Sequence, residues 1–157
     1  MQENTCCFIG HRRVAEINAL KTELKKTVEG LITEKQVDTF LFGSRSRFDD
    51  LCYSVVSDLK EKHPHIKRIY VRAEYPIINE DYEKYLLQSY EETYYPEKLV
   101  GAGRAVYVKR NFEMIDKSSF CIVFLDKESA PLKSGTRIAV NYAVKKGKTV
   151  INLFDLM

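Results

Sequence analysis

The sequence lacks long hydrophobic runs, low-complexity tracts and internal repeats. A membrane-spanning helix needs about 20 consecutive apolar residues, and no run in the chain approaches that length. The N-terminal stretch MQENTCC also lacks the basic start and long apolar core of a secretory signal peptide. We therefore expect a cytoplasmic protein with no membrane association.

Cysteine is scarce, and its spacing does not suit metal binding. The four cysteines form no CxxC pair and no Cys/His spacing of the kind that binds zinc. Pairs of aspartates alone bind magnesium only weakly. We expect free, buried thiols at Cys6, Cys7, Cys52 and Cys121, and neither a metal nor a cofactor.

The sequence also lacks a large excess of positive or negative charge. The chain has 25 Lys and Arg residues against 22 Asp and Glu residues, which gives a net charge of +3. Proteins that hold nucleic acid through many phosphate contacts carry clustered basic residues. Nucleic acid is therefore not expected as a partner, and charges at particular turns matter more than the total.

The sequence does contain a regular alternation of strand and helix patterns. Between short apolar runs, apolar residues recur at steps of three and four, as at Leu20, Leu24, Val28 and Leu31. Uniformly apolar strands that alternate with helices are typical of a parallel sheet covered on both faces. The pattern predicts an α/β fold, a Rossmann-like three-layer sandwich with a mainly parallel sheet of about five strands. The predicted strands are 5–9, 39–42, 69–71, 120–125 and 149–154.

The length of 157 residues fits one domain, which we expect to span 1–157. Only residues 75–103 break the alternation of strands and helices. They form a tyrosine-rich stretch with weak periodicity. We expect an insertion or a lid there.

Three predicted strand ends carry glycine, small hydroxyl or basic residues. Gly10 opens the basic stretch GHRR, Gly43 opens GSRSRFDD, and 133–136 (KSGT) begins the last helix. In a doubly wound sheet, ligands bind beyond the carboxyl ends of the strands. Helix N-termini favour anions, and the arginine fork suits phosphate. The sequence therefore predicts one anion site shared by the three turns.

Each turn also has a purely structural interpretation. Ser134 and Thr136 are good helix-capping residues. Arg47 could be a solvated surface charge, and Asp49 suits the first turn of a helix. His11 could be a structural hydrogen-bonding residue. The position of all three turns at strand ends favours the functional interpretation.

Four stretches, FIGHR, FGSRSRFD, RNFEMIDKSSFCIVF and KSGTRIAVNYAVKKGKTVI, resemble in their order and spacing the SLOG superfamily. That superfamily includes the DNA-processing Smf proteins and the Lonely Guy proteins, and the chain is most similar to small bacterial members that open with FxGHR. The resemblance implies a Rossmann-like fold, a nucleotide-like small molecule bound at the strand ends, and a homodimer or higher homo-oligomer. The residues that we expect to bind the ligand and its phosphate are Gly10, His11, Arg12, Gly43, Ser44, Arg45, Ser46, Arg47, Arg110, Asn111, Ser134, Gly135 and Thr136.

The chain departs from the Lonely Guy enzymes at one motif. Those enzymes cleave an N-glycosidic bond in cytokinin ribotides and rely on a glutamate in PGGxGTxxE. The corresponding stretch here, KSGTRIAVN, has one glycine and no acidic residue in the next helical turn. The resemblance therefore implies a sensor or regulatory protein that binds a nucleotide or a nucleotide-derived phosphate ligand, and leaves enzymatic activity open.

The alternative is an N-glycosidic bond hydrolase or transferase acting on nucleoside (mono)phosphates. That chemistry needs a carboxylate near the anomeric carbon, and the candidates are Glu74, which follows the third strand, Asp49 and Asp50. Glu74 could instead be a solvated loop residue paired with Arg72. Tyr75 could stack on a base or pack under the lid.

Overall fold

The computed structural model describes residues 2–10, 16–43, 46–128, 130–131 and 134–157. The strands are β1 (Thr5–Gly10), β2 (Thr39–Phe42), β3 (Lys67–Val71), β4 (Glu92–Tyr94), β5 (Phe120–Phe124) and β6 (Thr149–Asn152). The helices are α1 (Ile17–Lys35), α2 (Arg47–Lys62), α3 (Glu80–Leu87), α4 (Val106–Asp116) and α5 (Gly135–Lys145). The strands form one sheet in the order β4-β3-β2-β1-β5-β6, and every neighbouring pair is parallel.

The sheet confirms the predicted α/β fold, but the predicted number of strands was too low. The additional strand is β4, which pairs only with β3 at the edge of the sheet. Its three residues, ETY, are partly exposed. An edge strand contacts one neighbour and need not be apolar throughout, so a search for apolar runs passes over it.

Alternating residues of the central strands build two apolar layers. Cys6 and Phe8 face the layer that contains α1 and α2, and Cys7 and Ile9 face the layer that contains α4 and α5. The alternation follows from the period of two in a β-strand. Helices therefore cover both faces of the sheet, as a three-layer sandwich requires.

The helical periodicities place the expected residues in these layers. Leu20, Leu24 and Val28 of α1 are fully buried. Ala139 and Ala143 of α5 are almost fully buried, and their small side chains let the helix backbone approach the sheet closely. All four cysteines are free and buried, which confirms that expectation.

Residues 75–103 contain α3, β4 and a short 3₁₀ turn at Glu97–Leu99. Part of this stretch therefore extends the sheet. Arg68 of β3 anchors it, because Nη2 lies 2.7 Å from Oε2 of Glu91 and Nη1 donates to Oγ of Ser57 on α2 at 3.0 Å. A lid function for the remainder stays a prediction.

The strand order fixes where a ligand crevice forms. The chain begins with β1 near the middle of the sheet, adds strands on one side as far as β4, and then crosses to β5 on the other side of β1. The strand order reverses between β1 and β5. In open parallel sheets, this is where a crevice forms beyond the carboxyl ends of the strands.

Candidate functional site

A cleft of about 940 Å³ lies along the carboxyl ends of the strands. Its walls include residues at or after the ends of β1, β2, β3 and β5, such as Gly10, Gly43, Glu74 and Gly135. The turns that the sequence singles out therefore meet at one cleft. Nine of the predicted ligand-binding residues line it: Gly10, Gly43, Ser46, Arg47, Arg110, Asn111, Ser134, Gly135 and Thr136. His11, Arg12, Ser44 and Arg45 lie outside the described residues.

The glycines of the cleft serve two different purposes. A Cβ added to Gly10 would come within 2.5 Å of Cγ of Phe48, and one added to Gly43 would lie 2.6 Å from Cδ of Arg110. These two glycines make room for the protein's own side chains. A Cβ added to Gly135 would meet no atom of the described residues within 4 Å. As far as those residues define it, the space over Gly135 is open, and a ligand could approach the backbone there.

Two helix N-termini point at the cleft, and both are capped by serine. Oγ of Ser46 accepts from the backbone N–H of Asp49 at 3.0 Å, and Oγ of Ser134 accepts from the backbone N–H of Arg137 at 3.1 Å. The structural interpretation of Ser134 as a cap is therefore correct, and Ser46 caps α2 in the same way. A cap satisfies one backbone amide and does not prevent a ligand from using the others at the helix end.

The two N-termini differ in charge. The first turn of α2 carries Asp49 and Asp50, and the exposed carboxylate of Asp50 already compensates the positive end of the helix dipole. The first turn of α5 carries no acidic residue. The N-terminus of α5 is therefore the better place for an external anion.

Arg110 is a buried cation in the wall of the cleft. Its side chain is 5% exposed, Nη1 donates to the carbonyl of Gly43 at 2.5 Å, and Nε donates to Oδ1 of Asn111 at 3.0 Å. Burial lowers the pKa of Arg110, an effect that the negative charge of Asp49 opposes. Within the described residues no carboxylate oxygen lies within 4.0 Å of its guanidinium. A buried arginine without a paired anion is suited to a ligand that brings one.

Arg72, at the end of β3, is a second such cation that sequence reasoning missed as a ligand-binding residue. It is 8% exposed and lines the cleft. Nη1 donates to Oγ1 of Thr93 at 3.1 Å, and Nε donates to the carbonyl of Tyr75 at 3.3 Å. Burial lowers the pKa of Arg72. Its position directly after an apolar strand was the signal that could have found it.

Aromatic rings form much of the remaining wall. Tyr70, Tyr75, Tyr82 and Tyr107 all line the cleft. Tyr75 is 58% exposed and has a left-handed backbone with φ of 59°, a conformation that few non-glycine residues adopt. The rings of Tyr75 and Tyr82 meet edge to face with their centroids 5.8 Å apart. Such flat apolar surfaces suit a nucleobase.

Two of the candidate carboxylates, Glu74 and Asp49, occupy different environments. Glu74 lines the cleft and accepts a hydrogen bond from the hydroxyl of Tyr107, and this bond raises the pKa of Tyr107. Asp49 is not part of the lining and is only 4% exposed. Burial raises the pKa of Asp49, an effect that Arg110 opposes, and its Oδ1 has no hydrogen-bond partner in the described part of the chain. Of these two carboxylates, Glu74 is the one placed to touch a ligand.

The described residues contain neither a membrane-spanning helix nor a metal-binding cluster. None of the helices there is long and apolar enough to cross a bilayer. Across the same residues, no three His, Cys, Asp or Glu side chains are grouped in a way that could hold a metal ion.

The fold and the cleft define a class of protein: a doubly wound α/β protein with a cleft rich in arginine and tyrosine at the carboxyl edge of its sheet. The chain is 32% identical over 149 residues to the uncharacterised SPbeta prophage-derived protein YoqJ of Bacillus subtilis (strain 168). That similarity covers 80% of this chain and 81% of YoqJ. The chain belongs to the YoqJ family. No protein-family model matches the sequence.

Among solved structures, the chain is similar to DNA processing protein A (DprA) of Streptococcus pneumoniae, with a TM-score of 0.61 and 17% sequence identity. The match covers 93% of this chain and 48% of the DprA chain, so the chain spans about half of that protein. This likeness shows the fold. It gives no support to the expectation that nucleic acid is not a partner, and that expectation stays a prediction.

Proposed function

We propose that the cleft binds a nucleotide or a nucleotide-derived phosphate ligand, and that the protein acts as a sensor or a regulatory protein of the SLOG superfamily. The observation that carries the proposal is the presence of Arg110, buried and without a carboxylate partner among the described residues, in the same cleft as the uncompensated N-terminus of α5. Both features attract an anion, and the phosphate suits the arginine fork and the backbone amides.

The tyrosines support a nucleotide over a simple phosphate ion. Tyr107, whose ring centroid lies 5.9 Å from Cζ of Arg110, supplies a face for the base beside the cationic group, which is the combination that a base joined to a phosphate needs. The other tyrosines of the cleft, Tyr70, Tyr75 and Tyr82, add further apolar surface. The resemblance to the SLOG superfamily points to the same ligand class. A homo-oligomeric state, which that resemblance also implies, stays a prediction.

The variant Gly135→Ala tests the phosphate position. We expect it to weaken binding of adenosine, guanosine, cytidine and uridine 5′-monophosphates by about tenfold, because the added methyl group fills the space over the first amides of α5. The stability of the free protein should be unchanged or slightly higher, because the added Cβ displaces no atom of the described residues and alanine favours the helix. Isothermal titration calorimetry measures the affinity, and thermal melting measures the stability.

Gly30→Ala is the matched control. Gly30 lies inside α1, away from the cleft, and an added Cβ meets nothing within 4 Å there either. We expect this variant to be more stable by about 0.5–1 kcal/mol and to bind the monophosphates as the wild type does. Equal affinities in the wild type and Gly135→Ala, or binding of none of the four monophosphates, would contradict the proposal.

A second candidate function is cleavage or transfer of an N-glycosidic bond. The hydrogen bond from Tyr107 to Glu74 favours it, since the bond holds one carboxylate in place at the wall of the cleft. We expect any release of base from the nucleoside monophosphates to fall at least about 100-fold in Glu74→Gln, because removal of a positioned acid or base costs that much. Asp50→Asn, a change of the same kind at an exposed cleft residue, should keep most of the rate. Chromatography of the free base checks both variants, and ligand binding without base release would leave the sensor as the function.

A further inference from the structure

The cleft has an outer end that is defined by Tyr70, Arg72, Tyr75 and Tyr82. This end offers a cation and three aromatic rings that a single bound phosphate does not use. These residues come from β3, the turn after it, and α3. None of them belongs to the turns at Gly10, Gly43 and Gly135. A ligand confined to those turns would leave the outer end empty.

Among the described residues, Arg72 leaves one hydrogen-bond donor unused at this end. Its Nε and Nη1 bond to neutral oxygens of Tyr75 and Thr93, and its Nη2 has no hydrogen-bond partner within the described ranges. No carboxylate oxygen of the described residues lies within 4.0 Å of the guanidinium. Arg72 is 8% exposed as a residue and its guanidinium bonds only to neutral groups, so the guanidinium is suited to a ligand that brings a negative charge.

Arg72 lies too far from α5 to share a phosphate with it. Thr93, which holds its guanidinium, belongs to β4, on the far side of β3 from the rest of the sheet. The helix α5 packs against β1, β5 and β6. From β3 to β1 is two strand spacings, or about 10 Å. A single phosphate spans much less than this, so the two ends of the cleft need two separate anionic groups.

The size and the aromatic lining of the cleft fit a second nucleotide unit. A volume of about 940 Å³ is near the upper end of the roughly 300–1,000 Å³ of small-molecule sites. Tyr75 presents an exposed ring beside Tyr82, and its carbonyl accepts from Nε of Arg72. A base-stacking surface therefore adjoins the second cation.

We propose that the ligand belongs to the dinucleotide class. One phosphate lies at the N-terminus of α5 near Arg110, and the second nucleotide unit places its phosphate on Arg72 and its base against Tyr75 and Tyr82. This inference rests on the proposed function and names its ligand class.

The test compares 5′-phosphorylated mononucleotides with 5′-phosphorylated dinucleotides of the same bases, by isothermal titration calorimetry. We expect the wild type to bind the dinucleotides about tenfold more tightly or better, since a charge-assisted hydrogen bond and a stacked base are added. Arg72→Gln should abolish this preference and leave mononucleotide affinity within about twofold. Arg104→Gln removes the same charge from an exposed residue outside the lining and should change neither affinity.

Two results overturn the inference: equal affinity of the wild type for both ligands, or an equal loss for both in Arg72→Gln, which would place Arg72 on the first phosphate. If Arg72→Gln does not fold, Tyr75→Ala decides alone. It truncates a mostly exposed ring and should weaken only dinucleotide binding, whereas unchanged dinucleotide binding overturns the inference. Failure of the proposed function looks different, since mononucleotides would then not bind or Gly135→Ala would not weaken them.

Discussion

Replacing Gly10 by alanine is expected to lower the free energy of unfolding by about 3 kcal/mol. The added Cβ would come within 2.5 Å of Cγ of Phe48 and 2.9 Å of its Cβ. Phe48 is fully buried, and its ring stacks on Phe124 with the centroids 6.0 Å apart. The ring therefore has little room to move. Either α2 shifts away from β1, or the folded variant is strained by the close contact. Urea unfolding followed by circular dichroism measures the change.

A double-mutant cycle shows whether Phe48 causes the loss. In a Phe48→Ala background, which removes Cγ and Cδ2, the two Phe48 atoms nearest to the added methyl group, Gly10→Ala should cost at least about 1 kcal/mol less than in the wild type. Gly30→Ala again controls for the general effect of glycine replacement and should stabilise the protein. A cost at Gly10 below about 0.5 kcal/mol, or one that is the same in both backgrounds, would refute this account of the turn.

Asp49→Asn is expected to stabilise the protein relative to the wild type by an amount that grows with pH. Burial raises the pKa of Asp49 in the folded state. Below a pH of about 3.9 the carboxyl group is protonated in both the folded and the unfolded states, and its protonation does not alter their balance. At higher pH the unfolded state ionises while the folded state keeps its proton. Wild-type stability then falls by about 1.4 kcal/mol per pH unit until the folded-state pKa is reached.

Asparagine does not titrate, so the variant escapes this loss. Urea unfolding of both proteins at pH 4, 5.5 and 7 measures the difference, and any constant cost of the amide group cancels between pH values. Asp50→Asn, in the same helical turn but exposed, should show a nearly constant difference. If the difference for Asp49→Asn were equally constant, the carboxyl group would be ionised in the folded protein and Arg110 would outweigh its burial.

The central fold was predictable because its signals are local and repeated. Strands such as β1 and β5 are apolar on both faces, and α1 shows the period of a half-buried helix. The edge strand β4 was not predictable in this way. Its place depends on pairing with β3 and on the ion pair of Arg68 with Glu91, which are contacts between residues more than 20 positions apart.

The candidate site was predictable where the candidate residues come at or soon after the ends of strands. Gly10 ends β1, Gly43 follows β2 and Gly135 begins the helix after β5, and all three reach one cleft because parallel strands end at the same edge. The sequence could not show that Phe48 and Arg110 occupy the space beside the first two glycines, which gives those glycines a packing role. It also could not separate Glu74 from Asp49, because burial depends on the way α2 and α4 meet over the sheet.

The four free cysteines allow local opening of the fold to be measured directly. All four are 0% exposed, so a thiol-alkylating reagent reacts only with molecules in which a layer has separated from the sheet. Cys6 and Cys52 belong to the layer of α1 and α2, while Cys7 and Cys121 belong to the layer of α4 and α5. Mass spectrometry of briefly labelled protein measures how much each cysteine has reacted. It therefore reports which helical layer opens away from the sheet, and how often, without any engineered probe.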